Sequence, residues 1–352
     1  MAGMLQEKLE ARYAKAVCGM DAHFLPAKHV PDALAKLGLI GPEDHLVVYA
    51  DDFQDTFLER FPRESLFFAC DPTVDAFTEA DQVAHRAAIQ GASEQGRAYW
   101  FVNAIGGRGL RVPNLRVLSA AAHVAGVLLI VDNTVPSLFG CRPLELGADL
   151  CFEALDRVAA GELDSKTVAM AVSKKIKPPV SNRVCKNGQF GASGTAEVGQ
   201  NAHSIGAVSE IESKDLAAIE RGLDSLPVRM QRHFDHARAL AEYLSCCDVL
   251  PGVAYPGLKT HPDHAVAANV LQHGFGPAVD FELPAPITAS DFIVRCALNG
   301  RGHRAGGPFT RMAARDGDDA RFIRLFAGLD DPLAIADDLD QAMRWFCNPP
   351  EP

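Results

Sequence analysis

Two periods alternate in the hydrophobic pattern of the first half of the chain. Short β-branched or apolar runs, His45 to Ala50, Ser65 to Ala69, Ala98 to Asn103 and Gly126 to Val131, predict strands. Between them Pro31 to Leu39, Asp75 to Gln90 and Val112 to Ala125 are polar on one face and close on Gly or Pro signals, which predicts helices. Strand and helix in alternation predict an α/β fold with a mixed, mostly parallel sheet covered by helices. From Ser165 to Gly199 the pattern breaks into Lys174, Lys175, Lys177, Pro178 and Pro179 followed by scattered glycines, and reads as a long irregular stretch. An amphipathic helix then runs from about Ser213 to Leu244, interrupted by Pro227. It leads into a smaller α+β remainder, so the expected division is a large α/β domain over 1–222 and a C-terminal α+β domain over 223–352. The charged N-terminus, Met1 to Lys15, reads as a surface helix and lacks the apolar middle of a secretory signal.

Composition narrows the function classes. With 352 residues and 48% hydrophobic content the chain can bury a full core. A formal net charge of -11 repels phosphate backbones, so nucleic acid is not an expected partner. The longest apolar run, Val124 to Val131, is far short of the roughly 20 residues that span a bilayer, so no membrane is expected. The nine cysteines lack Cys-x-x-Cys or zinc-finger spacing and suit reduced thiols in a cytoplasm. His261 with His264, and His233 with His236, have helical spacing but no following Glu, and are not read as metal ligands. The glycines 188, 191, 194 and 199 lack the Gly-Lys-Ser/Thr of a phosphate loop.

Three segments carry a resemblance. Val131, Asp132, Asn133 and Thr134, with Arg142 to Asp149 downstream, form the first. Arg221, Gly222, Leu223, Asp224, Ser225, Leu226, Pro227, Val228, Arg229, Met230, Gln231, Arg232 and His233 form the second and most diagnostic. The third runs through Pro256, Gly257, Leu258, His261, Pro262, His264, Gly274, Phe275 and Gly276 to Phe322–Pro332. In this collinear order the chain resembles the pyridoxal-phosphate-dependent enzymes of Cys/Met metabolism, the cystathionine synthases and lyases of fold type I. The resemblance implies a PLP-dependent transferase-like large domain, a smaller C-terminal domain and an amino-acid-like ligand.

Site residues follow from that resemblance. Asp132, at the carboxyl end of an apolar strand where α/β sheets bind ligands, matches the aspartate that pairs with the pyridine nitrogen. Cys18, Gly19 and Met20 align with a Ser-Gly-Met whose amides receive the phosphate at a helix N-terminus. Cys18 itself reads as a small buried residue. Asp51, Asp52 and Phe53 are followed by Gln54 where a stacking tyrosine is usual; Thr134 and Glu153 complete the cofactor-binding candidates. Asn103 and Gly107 fall in a turn that shapes the substrate site, and Arg324 stands where an arginine grips the substrate carboxylate.

The Schiff-base lysine is the departure. In the segment Phe152, Glu153, Ala154, Leu155, Asp156 and Arg157 the resemblance assigns its place to Asp156, and a carboxylate cannot form an imine. The N-terminal arm that completes a neighbouring subunit's phosphate site also has no counterpart. The expectation is a catalytically impaired relative that binds pyridoxal phosphate non-covalently if at all, or serves an active paralogue in a homo- or hetero-oligomer. The competing expectation is a working lyase or transferase of sulfur amino acids or O-acylhomoserine, with a lysine recruited from Lys166 to Lys177.

Overall fold

The structure, a computed structural model, is described for residues 2–27, 45–48, 66–68, 98–124, 128–174, 211–298, 306–314 and 320–347, with the backbone alone for 45–48, 66–68 and 98–99. The helices expected at Pro31–Leu39 and Asp75–Gln90 lie outside these residues, as does Gln54.

All four expected strands form, as β2 (His45–Val48), β3 (Leu66–Phe68), β4 (Ala98–Asn103) and β5 (Leu128–Asp132). They join β1 (Asp21–Pro26), β6 (Leu150–Ala154) and β7 (Thr167–Val172) in a seven-stranded sheet ordered β1-β7-β6-β5-β4-β2-β3. Pairing is parallel from β3 through β6, and β7 alone runs against its neighbours β6 and β1. Strand β7 corrects the irregular reading of Ser165–Gly199: Thr-Val-Ala-Met-Ala-Val lies between two strands and is buried at all six positions. A strand buried on both faces carries no alternation, so the period signal was silent there.

Helix α1 (Ala2–Ala16) is less superficial than its charge suggests. It turns Gln6, Leu9, Tyr13 and Ala14 inward, and Tyr13 is fully buried. Helix α2 (Leu115–Val124) buries Leu115, Leu118 and Ala122, the i, i+3, i+7 stripe of an amphipathic helix. Two short helices follow, α3 (Ser137–Gly140) and α4 (Leu155–Val158).

Helix α5 (Ser213–Ser245) is continuous through Pro227, contrary to the expected interruption. The proline ring lies on the exposed face, while Leu226, Met230 and Phe234 pack on Leu138 and Phe139 on the other. The missing amide therefore costs one ladder bond and no core contact. The helix crosses the expected boundary at 222/223. Its first half contributes Leu216, Ile219 and Leu223 to the core of the large sheet, and its last turns contribute Ala237, Leu240, Ala241 and Leu244 to a second core. That second core lies on an antiparallel sheet ordered β10-β11-β9-β8, built from β8 (Gly252–Ala254), β9 (Ala278–Glu282), β10 (Arg311–Ala314) and β11 (Phe322–Phe326). Helices α6 (His264–Val270), α7 (Ala289–Arg295) and α8 (Pro332–Cys347) complete the region. Among the described residues no helix is long and apolar enough to cross a membrane.

Candidate functional site

The parallel strands define two edges, and ligands of such sheets sit at the carboxyl edge. Asn103 ends β4 and Asp132 ends β5, and the two are register partners, both almost fully buried. The chain turns sharply after Asp132: its Oδ1 accepts the Thr134 amide at 2.9 Å, and Thr134 Oγ1 accepts the Ala154 amide at 3.0 Å. This ties the end of β5 to the end of β6. Asp132, Thr134 and Asn103 are thus brought together at one edge of the sheet.

Immediately beyond Ala154 comes α4, whose corner carries the residues at issue. Asp156 is half-buried in its first turn. Arg157, the next residue, is 2% exposed, with its guanidinium 4.7 Å from the centroid of the Phe326 ring. Gly306, at φ +87, packs so tightly that a Cβ there would lie 2.8 Å from the Arg157 Cα. Successive helical residues point about 100° apart, so this corner turns Arg157 inward.

Helix α5 holds that corner by two devices in its diagnostic segment. A Cβ on Gly222 would stand 2.0 Å from the Val158 carbonyl oxygen, so only glycine permits the approach. Arg229 then donates Nη1 to the carbonyls of Arg157 (3.0 Å) and Gly306 (2.9 Å) and Nη2 to that of Val158 (2.7 Å), satisfying the α4 C-terminus. Burial lowers the Arg229 pKa to about 10, leaving it charged at neutral pH. Beside it His233 is fully buried against the Ala327 carbonyl at 2.6 Å. Burial, with smaller contributions from Arg229 and Arg157, lowers its pKa to about 4, so the ring is neutral and Nδ1 donates.

Several sequence expectations are corrected here. Cys18, Gly19 and Met20 follow the C-terminus of α1, not the N-terminus of a helix: the Gly19 amide bonds the Ala14 carbonyl, and the Met20 amide bonds the Val172 carbonyl. Val172 pairs with Leu150, the first residue of β6, which places the segment at the edge opposite Asp132. A Cys-Gly-Met triplet terminates a helix as readily as a Ser-Gly-Met starts one, because glycine serves both ends. Cys18 is also not a buried residue. It is half-exposed at φ +59, and its Sγ donates to Glu145 at 2.8 Å, which raises its pKa. The N-terminal segment that does reach the ligand edge is the end of β1, Pro26 and Ala27, where Pro26 pairs with Thr167.

Glu153 does not face the edge either. Phe152 shares the register of Asp132, so Glu153 points to the other side of β6. There its carboxylate accepts Tyr13 Oη (2.6 Å), Ser137 Oγ (2.6 Å) and the Leu138 amide (3.0 Å), joining α1, α3 and the sheet. Burial pushes its pKa up to about 7 against these donors and the Arg157 charge.

Arg324 and Gly107 are brought together. Arg324 is fully buried on β11, its Nη2 on the Gly107 carbonyl at 2.6 Å and its fork on Asp280 of β9. Sequence reasoning passed over Asp280, Arg157 and Arg229. A charged residue in an apolar strand, as in Ala-Val-Asp-Phe-Glu, is the signal that could have found the first. The histidines set aside as metal ligands bond backbone carbonyls: His233 that of Ala327, His236 that of Gly328, His261 that of Gly109 and His264 that of Pro256.

Of the lysines proposed for recruitment, Lys174 follows β7 at the wrong edge, beside Cys18. Lys166 precedes β7 at the ligand edge, where its carbonyl accepts the Ala27 amide. It is exposed, and β7 stands two strands from β5, about 10 Å across the sheet. Lys175 and Lys177 lie outside the described residues.

Comparison with known proteins agrees with this architecture. Residues 35–310 match the family model of the Cys/Met metabolism PLP-dependent enzymes. Cystathionine beta-lyase of Lactococcus lactis subsp. cremoris is 30% identical over 184 residues, covering 52% of this chain and 43% of that protein. Cystathionine gamma-lyase of Bos taurus is 30% identical over 260 residues, covering 68% and 59%. The chain thus spans about half the length of these curated relatives. Among solved structures, apo methionine gamma lyase from Micromonospora echinospora superposes with a TM-score of 0.77 at 25% identity, over 96% of this chain and 86% of that one. Cystathionine gamma synthase from Xanthomonas oryzae pv. oryzae gives 0.75 at 22% identity, over 97% and 85%, a likeness of fold.

Proposed function

The chain belongs to the Cys/Met metabolism PLP-dependent enzyme family, and from that premise we propose that it is a catalytically impaired member which holds its ligand non-covalently. The observation that carries this reading is the corner after β6, which offers Asp156 and Arg157 where an amine is required. A carboxylate forms no imine, and a guanidinium stays protonated and non-nucleophilic at any physiological pH. Of the two, we assign the place of the missing amine to Arg157. Its burial, and the packing of Phe326 and Gly306 on it, support a side chain directed into the cleft, whereas Asp156 is half-buried.

Pyridoxal phosphate, when bound, supplies an electron sink. Asp132 suits its ring nitrogen, and the retained charge of Arg157 suits an anionic ligand; the amine is the part that does not fit. Assembly with a second copy or an active relative belongs to the same proposal and is supported by retention of the fold over nearly the whole chain.

The test is to mix purified protein with one equivalent of pyridoxal phosphate, reduce with borohydride, desalt and weigh the product by mass spectrometry. Wild type is expected to lose the cofactor on desalting, Arg157→Lys to retain it covalently, and Asp156→Lys to lose it. Retention by Asp156→Lys and not by Arg157→Lys would move the amine's place back to Asp156. Retention by wild type would overturn the reading altogether. Were the adduct mapped to Lys166, it would support a working lyase or transferase with a recruited lysine, the reading that Lys166's position at the ligand edge favours.

A further inference from the structure

We infer that the carboxylate-binding fork of Arg324 is occupied from within by Asp280, and that the cleft therefore discriminates against ligands presenting a free carboxylate there. This rests on the family reading for the location of the cleft, and on the geometry of the pair for its chemistry.

The geometry is that of a filled receptor. Arg324 Nε donates to Asp280 Oδ1 at 2.7 Å and Nη2 to Oδ2 at 2.8 Å, the two parallel bonds of a guanidinium on a bound carboxylate. The Gly109 amide adds a third donor to Oδ2 at 3.0 Å. Both side chains are 0% exposed. The residues that complete the cradle, Gly107 through its carbonyl and Gly109 through its amide, lie on the loop that leaves β4 just after Asn103, the register partner of Asp132. This carboxylate receptor therefore borders the ligand edge.

Its occupant is delivered by the fold. Asp280 and Arg324 are register partners on adjacent antiparallel strands, so the carboxylate is held opposite the guanidinium at an effective concentration that no millimolar solute matches. A free carboxylate would also have to leave Asp280 buried and charged without its partner. An α-amino acid entering by its carboxylate is excluded on both counts, whereas a ligand carrying only an amine or a phosphate does not compete.

Vacating the fork tests this, with acetate as the probe against chloride at equal ionic strength and pH, and melting temperature as the readout. Wild type is expected to melt identically in both salts. Asp280→Ala is expected to melt several degrees lower in chloride and to regain part of that loss saturably in acetate, with no gain from methylammonium. In the double variant Asp280→Met with Arg324→Met the acetate gain should vanish, because the receptor is gone. Equal acetate responses in wild type and Asp280→Ala, no response in Asp280→Ala, or a response surviving in the double variant would each overturn the inference. If Asp280→Ala does not fold, Asp280→Ser, which keeps one hydroxyl oxygen but still vacates the carboxylate's place, takes its place, and no acetate gain there is equally decisive. Borohydride capture reads the β6 corner alone, so it can fail while the acetate result stands, and the converse.

Discussion

At the scale of the residue, the informative positions are charges buried where apolar side chains would be cheaper. Glu153 is the case with a measurable consequence. Its carboxyl titrates near 4.5 when unfolded and near 7 when folded, because burial favours the neutral form. Between those pH values folding takes up a proton, so stability falls as pH rises across the window, by up to about 3 kcal/mol. Glu153→Gln has no proton to exchange. Its stability relative to wild type is therefore expected to climb between pH 4.5 and 7 and level off above, which urea melts at a series of pH values would follow. A flat difference would mean that the three donors from Tyr13, Ser137 and Leu138 keep the carboxylate ionised throughout.

At the scale of the element, α5 does more than link two regions. It presses Gly222 onto the α4 backbone and reaches over it with Arg229, so the corner carrying Arg157 is positioned by a contact 72 residues downstream. Gly222→Ala adds a methyl where the Val158 carbonyl and Ala159 Cα leave no room, and rigid backbone cannot yield as a side-chain tip can. The helix-propensity gain of about 1 kcal/mol from alanine is outweighed by overpacking, giving an expected net loss of about 2 kcal/mol. A lower urea midpoint with unchanged slope would confirm it; a neutral or raised midpoint would show that α4 and α5 can separate freely. The same segment was the most diagnostic part of the family resemblance, and its packing supplies a physical reason for those residue types at those positions.

At the scale of the whole molecule, the loop after β4 is the seam between the two sheets. Arg324 and Asp280 hold it at Gly107 and Gly109 from the small sheet. Asp263 accepts Arg111 Nε and Nη2 at 2.6 and 3.0 Å and the Val112 amide at 3.0 Å, and His261 bonds the Gly109 carbonyl at 2.8 Å. Asp263→Ala should loosen this seam. The expected cost is about 2 kcal/mol, below that of a fully buried pair because Arg111 is 21% exposed. Faster hydrogen exchange at Val112 and its neighbours would be the direct sign, and unchanged exchange there would show that the remaining bonds suffice.

What the sequence determined by itself was whatever depends on order and period. Four strands, α2 and the long amphipathic helix were legible from runs and faces, and the family from collinear segments, because these signals are local in the chain. Asp132 was legible too, since the end of an apolar strand in an α/β pattern is already a position in space. Tertiary structure alone decided which edge each segment reaches. It put Cys18 to Met20 at the edge away from Asp132, turned Glu153 to the far face of β6, made a buried strand of Thr167–Val172 and set Asp280 in the fork of Arg324. It also buried Arg157 in preference to Asp156. The reason is common to all of these: a side chain's direction and neighbours are set by pairings between residues far apart in sequence, as Asp280 and Arg324 are, and no local pattern records them.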